Sequence, residues 1–230
     1  MSVEVLPEPA GHMVVQSGRP GVVVAAPHGT SDPNTGDIAA AISRRTGFGL
    51  VVATGFVLEQ GRDGRPVRRY QVNRPLESVP GRGPADERVT VAAQRVYDEY
   101  ERRVHEAAGG RLAFYVEIHG NSRTDTAGRI EIATVGVDRD HALQLKALLE
   151  LTRDAHLRGH PEVPALAALV EPADTVFYAA GGAKREGILR LAERALHLEL
   201  PRAARREFRE VYTVILSDFL GQAVTLRPLR

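Results

Sequence analysis

The chain has 230 residues, 43% of them hydrophobic and 26% charged, with a formal net charge of +1 at pH 7. These values fit one globular domain over residues 1–230 with a sizeable core, and they give no global electrostatic case for binding nucleic acid or an anionic membrane. The absence of cysteine excludes disulfides and thiolate metal sites.

The first stretch, MSVEVLPEPAGHM, lacks a basic segment followed by an apolar one. No run approaches the roughly 20 apolar residues of a membrane helix. The expectation is a cytoplasmic protein with no membrane or nucleic-acid partner.

Residues 21–26 (GVVVAA) form a continuous apolar run, the mark of a strand buried on both faces. Residues 37–46 read as a helix with Asp37 in its first turn and Gly47 as its stop. Residues 50–54 (LVVAT) read as a second buried strand, and the polar, Gly-rich 59–69 as a loop or hairpin tip. From 82 to 110 the spacing predicts a long helix, preceded by Pro84, with acids in its first turn and Gly109-Gly110 at its end. Val89, Ala93, Val96, Tyr100 and Val104 would mark its buried face.

LAFYVEIHG (112–120) is a further buried strand, and RIEIATVG (129–136) alternates like a strand at a sheet edge. Helices are expected at 139–158 and 184–193, a strand at 195–201, a helix at 203–219 and a last strand in AVTLRPL (223–229). Strands alternating with helices predict an α/β fold: three-layer α/β/α with a mostly parallel mixed sheet.

Ligands in such sheets bind beyond the carboxyl ends of the strands. Three predicted strands end in polar residues: the first at His28, the next at Glu117 and His119, the third at Glu199. His28 and Asp32 lie four residues apart on one loop, and His119 would bring a second imidazole from another strand. Two His and one carboxylate leave a coordination position open for water, as catalytic zinc requires. Asp37 is the rival carboxylate, with a helix-capping role or a role orienting His28 as alternatives.

Asn73-Arg74 in YQVNRPLE pairs a hydrogen-bonding amide with a guanidinium, a combination suited to a substrate carboxylate. Arg123 and Arg202 are further candidates for holding an anion. Glu199 sits among apolar neighbours at a strand end, where it would move a proton. Glu117 is a second acid/base candidate or a partner that fixes a His tautomer. VFYAAGGAKREG (176–187), with Tyr178 and Lys184, reads as a Gly-rich lid. His12, His105, His141, His156 and His160 fall on termini or polar helix faces and read as solvated, as does the Arg-rich PRAARREFRE (201–210). Phosphate-binding glycine loops, a G-x-S-x-G elbow and H-E-x-x-H are all missing.

PHGTSDPNTGDIA, YQVNRP, VEIHGNSR and LHLELPRAARRE together resemble, in order, the motifs of the N-formylglutamate amidohydrolase family. They are also similar to those of phage-type poly-γ-glutamate hydrolases and, more distantly, zinc carboxypeptidases. The resemblance spans about residues 22–210. It implies a phosphorylase/hydrolase-like fold related to zinc carboxypeptidases, one Zn2+ (other divalent metals being possible) and hydrolysis of an amide or peptide bond in a carboxylate-bearing substrate. By position it implies His28, Asp32 and His119 as metal ligands, Asn73 and Arg74 as the carboxylate grip, and Glu199 as general acid/base. The acid is Asp32 where relatives often have Glu, and HGT stands where formylglutamate hydrolases have HSG. A different class remains open: a carboxylate- or metal-binding module that kept the fold but not the catalysis.

Overall fold

The computed structural model describes residues 11–60, 66–79 and 86–226. In chain order the elements are β1 (His12–Gln16), β2 (Arg19–Ala26), α1 (Thr35–Thr46), β3 (Phe48–Thr54), β4 (Val57–Gln60), β5 (Pro66–Tyr70) and β6 (Glu77–Ser78). There follow α2 (Val91–Ala108), β7 (Phe114–Gly120), β8 (Arg129–Val135), α3 (Arg139–Leu157), β9 (Ala167–Val170), α4 (Gly181–Glu186) and a 3-10 turn (Ile188–Leu191). The chain closes with β10 (Arg194–Leu200), α5 (Arg202–Arg205) and α6 (Arg209–Ala223).

Seven strands form one sheet in the order β1-β3-β2-β7-β10-β8-β9. β3, β2, β7 and β10 run parallel, and β1 and β8 pair antiparallel with β3 and β10. β4, β5 and β6 make a small antiparallel sheet beside it. The architecture is the mixed, mostly parallel α/β/α arrangement that the alternation of elements predicts.

The central strands bury both faces, so their side chains sort by parity. Val22, Val24 and Ala26 of β2 share one core with Phe114, Val116 and Ile118 of β7, Leu196, Leu198 and Leu200 of β10, and the apolar faces of α1, α3 and α6. Val23 and Ala25 join Tyr115 and Ala195 in the other core, under α2. On that second face the alternation continues into polar residues: Glu117 and His119 in β7, and His197 and Glu199 in β10. All four are buried.

Several expectations are corrected. Helix α2 starts at Val91, not near residue 85: Arg88 pairs with Glu77 in a β-bridge, and the Thr90 hydroxyl caps the helix by accepting the Ala93 N–H at 3.0 Å. Val89 therefore precedes the helix and is 72% exposed. Pro84 lies outside the described residues. β8 is an interior strand between β10 and β9, not an edge. In place of a strand over 223–226, α6 runs to Ala223 and ends in a turn; 227–229 lie outside the described residues. The edge strands β1 and β9 escaped the sequence reading because both are short, five and four residues.

His141 is fully buried beside Arg194 rather than solvated. Arg205, within the stretch read as solvated, is 2% exposed. Gly181–Glu186 of the predicted lid form α4, where Lys184 pairs with Glu171, and the helix expected over 184–193 is split between α4 and the 3-10 turn. No helix among the described residues is long and apolar enough to cross a membrane.

Candidate metal centre

After β2 the chain enters a single tight turn. The Asp32 N–H donates to the His28 carbonyl at 2.8 Å, so residues four apart project from the same side. Gly29 lets this turn lie against β3: its N–H donates to Ala53 O at 2.9 Å, and a Cβ there would press on Ala53 O and Thr54. β7 lies beside β2, and its last inward residues are Glu117 and His119. β10 lies beside β7 with His197 opposite Glu117 and Glu199 opposite His119. The three strand ends named from the sequence are thus neighbours, and their polar side chains converge.

Three donor atoms form a nearly equilateral triangle. His28 Nδ1 lies 3.2 Å from His119 Nδ1, and each lies 3.5 Å from Asp32 Oδ2. Ligands on a tetrahedral ion with bonds of roughly 2.0–2.1 Å stand about 3.3 Å apart. The donor set fits a divalent cation in both chemistry and spacing.

The groups behind the triangle fix its orientation. His28 Nε2 is 2.9 Å from Gln71 O, a carbonyl that can only accept, so this nitrogen carries the hydrogen. His119 Nε2 donates to Glu117 Oε2 at 3.0 Å. Both rings therefore turn Nδ1 toward Asp32, the arrangement in which an outer carbonyl or carboxylate orients a metal-binding imidazole. The Gly120 N–H donates to Asp32 Oδ2 at 3.2 Å. Between Gln71 and Asn73, Val72 is held at φ 62°, a strained conformation for a β-branched residue.

Glu117 is the hub of the buried network. It accepts from Asn73 Nδ2 at 3.1 Å, from the Tyr115 hydroxyl at 3.1 Å and from His197 Nδ1 at 3.0 Å as well as from His119. Burial opposes its ionisation, but His119 and His197 outweigh it and hold the carboxyl well below the usual range. Burial drives His28 down to about 4, reinforced by Arg69. Burial also works against a charged His119, yet hydrogen bonds to Asp32 and Glu117 push it up to about 10. Asp32 is held well below its ordinary value against a desolvation cost, by the two His rings. Without a cation, a proton sits among these donors.

Asp37 is not part of this group. Its exposed carboxylate accepts from Arg209 at 3.0 Å across the α1–α6 surface. Glu199 is 7% exposed; its Oε1 lies 3.4 Å from His197 Nε2, and its Oε2 has no partner among the described residues. Asn73 donates to Glu117, and Arg74 pairs with Glu87. Arg123 is exposed, paired with Asp125 and stacked on Phe177 at 4.3 Å from the ring centre. Tyr178, on the same segment, is pushed up to about 12 by burial and by Glu199. Arg202 pairs with Glu207 on the surface.

Three residues of the site had no functional reading in the sequence. His197 joins Glu117 to Glu199, and the alternation of LHLEL is the signal that puts it on the Glu199 face. Arg69 is half-buried, with Nη1 3.8 Å from Asp32 Oδ1 and a hydrogen bond to Ser31; it lay inside a stretch read as a loop. Arg205 gave no local signal at all.

Fold and site together define an α/β/α protein with a buried His-Asp-His cluster suited to a metal ion. No protein-family model matches the chain, and no curated protein matches it. Among solved structures, zinc-free YndL has a similar fold, at 12% identity and TM-score 0.55 over 95% of this chain and 93% of that one. A bacteriophage poly-γ-glutamate hydrolase aligns at 15% identity and TM-score 0.49, covering 97% of this chain and 90% of that one. A gene product from Agrobacterium tumefaciens aligns at 15% and 0.48, covering 93% and 94%. At 12% identity, what this chain shares with YndL is the fold.

Proposed function

We propose that residues 1–230 form a single zinc-hydrolase-like domain, a zinc-dependent amidohydrolase that cleaves an amide bond in a carboxylate-bearing substrate of the N-acyl amino acid or γ-glutamyl type. The reading rests on one observation above all: the near-equilateral Nδ1, Nδ1, Oδ2 triangle, with both imidazoles oriented from behind. His28, Asp32 and His119 would hold the ion. Two imidazoles and a carboxylate suit zinc, and other first-row divalent ions use the same donor types. When bound, the ion supplies Lewis acidity, bringing an attacking water's pKa to roughly 7 and polarising the amide carbonyl.

The remaining work belongs to the protein. Glu199 Oε2, buried and without a partner among the described residues, takes a proton from the attacking water and later delivers it to the leaving nitrogen. His197 Nε2 lies 3.4 Å from the other carboxylate oxygen. Asn73 and Arg74, with Arg123 at the rim, bind the substrate carboxylate and supply orientation. To do so, Arg74 exchanges Glu87 for the substrate's carboxylate, a swap between similar partners.

That internal pairing also favours the second reading, a carboxylate- or metal-binding module without turnover. The test is elemental analysis of purified protein beside His28→Ala/His119→Ala, followed by a panel of N-acyl amino acids and γ-glutamyl peptides with zinc. About one zinc per chain, absent from the double variant, together with turnover supports the hydrolase. Zinc and stoichiometric ligand binding without turnover support the module. No zinc after reconstitution removes the hydrolase and leaves the carboxylate-binding module.

A further inference from the structure

The side chain most deeply committed to the site's architecture touches none of its donors. Arg205, the last residue of α5, is 2% exposed and makes no ion pair among the described residues. Its guanidinium donates instead to three backbone carbonyls: Nε to Leu200 at 3.1 Å, Nη1 to Pro33 at 3.0 Å and Nη2 to Asn121 at 2.8 Å. Leu200 follows Glu199, Pro33 follows Asp32, and Asn121 lies two residues past His119. One fork thus binds the ends of three segments, each carrying a different part of the site. The planar spread of donors suits this; a lysine has one point of attachment.

Two further contacts close the assembly. Asn34 Nδ2 donates to the Arg205 carbonyl at 2.9 Å, returning a bond from the metal-site turn. Gly120 leaves the space that the guanidinium occupies, since a Cβ there would overlap it. The Gly120 N–H is also the donor to Asp32. Burying an uncompensated guanidinium is costly. Burial lowers its pKa, and the nearby Asp32 and Glu199 carboxylates offset part of that cost.

We infer that Arg205 is the positioning residue of the metal centre, setting the spacing of Asp32, His119 and Glu199 through their backbones. This rests on the metal-centre reading above. A residue that only stabilised the fold would lower stability without a selective effect on the ion.

The experiment measures zinc affinity by chelator competition, with zinc alone as probe, and the melting temperature of the metal-free protein. It compares wild type with Arg205→Lys, Asn34→Gly, Gly120→Ala and the remote core variant Leu149→Ala. Asn34 sits at φ 70°, which glycine adopts freely, so that variant removes the side-chain bond and keeps the turn. Arg205→Lys and Gly120→Ala are expected to weaken zinc binding by about ten- to a hundredfold, the range for lost outer-sphere support. Asn34→Gly is expected to weaken it severalfold with little change in melting, and Leu149→Ala to lower melting with zinc affinity unchanged. If Arg205→Lys fails to fold, Asn34→Gly and Gly120→Ala carry the comparison. Wild-type zinc affinity in all folded clamp variants, or losses no greater than that of Leu149→Ala, would overturn the role of Arg205 alone. No zinc binding by wild type would overturn the metal centre and this role with it.

Discussion

Glu117 Oε2 lies 3.0 Å from His119 Nε2, at the bottom of a cluster in which the same carboxylate also receives Asn73, Tyr115 and His197. A single buried acid thus sets the tautomer of one candidate ligand, the amide of a candidate substrate-binding residue and the ring that reaches Glu199.

Glu117→Gln should weaken zinc binding by about ten- to a hundredfold, because the replacement amide no longer offers a charged acceptor to two imidazoles. Glu117→Ala should also cost about 3–5 kcal/mol of stability, having removed one side of a buried charged network. Denaturant unfolding and chelator competition separate the two effects. Unchanged zinc affinity in Glu117→Gln would remove this acid from the metal site.

Asp32→Ala should abolish stoichiometric zinc, whereas Asp37→Ala should leave it intact. The first acid shares a helical turn with His28; the second faces solvent and Arg209. Elemental analysis decides, and loss of zinc in Asp37→Ala alone would reverse the choice between them.

Glu199→Gln should retain zinc and lose about 10²–10⁴-fold in kcat, the usual contribution of a positioned proton-transfer group. Wild-type turnover by the zinc-loaded variant would show that the proton moves elsewhere.

Two histidines shape the pH dependence of the metal-free protein in opposite directions. His119, raised from 6.5 to about 10, contributes stability that is complete below pH 6.5 and lost as pH rises toward 10. His28, lowered from 6.5 to about 4, is buried neutral; its contribution holds above 6.5 and is lost as pH falls toward 4. Stability should therefore peak near the unfolded histidine value, with His119→Gln flattening the alkaline limb in thermal melts. Zinc displaces the His119 proton, so its affinity should rise about tenfold per pH unit between pH 6 and 8. A pH-independent affinity there would contradict a protonated His119.

Thr90→Ala should destabilise the protein by about 1 kcal/mol, the typical cost of a lost N-cap. A substitution at Glu99, whose bonds to Arg102 and Arg103 lie on the surface of the same helix, should cost less than about 1 kcal/mol. If the helix began near residue 85, Thr90 would be an interior position and its hydroxyl nearly neutral.

The layers and the parallel core strands were legible because period-2 and continuous apolar runs are local: GVVVAA, LAFYVEIHG and ALHLELP declare buried strands by themselves. The ends of those runs declared His28, His119 and Glu199 for the same reason, since a polar residue closing an apolar strand stands out against its neighbours. Pro84 and the acids before residue 88 mimic a helix opening in the sequence, whereas Arg88 forms a β-bridge with Glu77 and the helix opens only at the Thr90 cap. The choice of Asp32 over Asp37 depended on the turn that stacks Asp32 on His28. Strand order was decided only in three dimensions, and with it the meeting of Glu117, His197 and Glu199. Arg205 and Arg69 show the limit most clearly. An arginine in an arginine-rich stretch looks solvated, and only the fold supplies the carbonyls or carboxylates that offset the cost of taking its charge out of water.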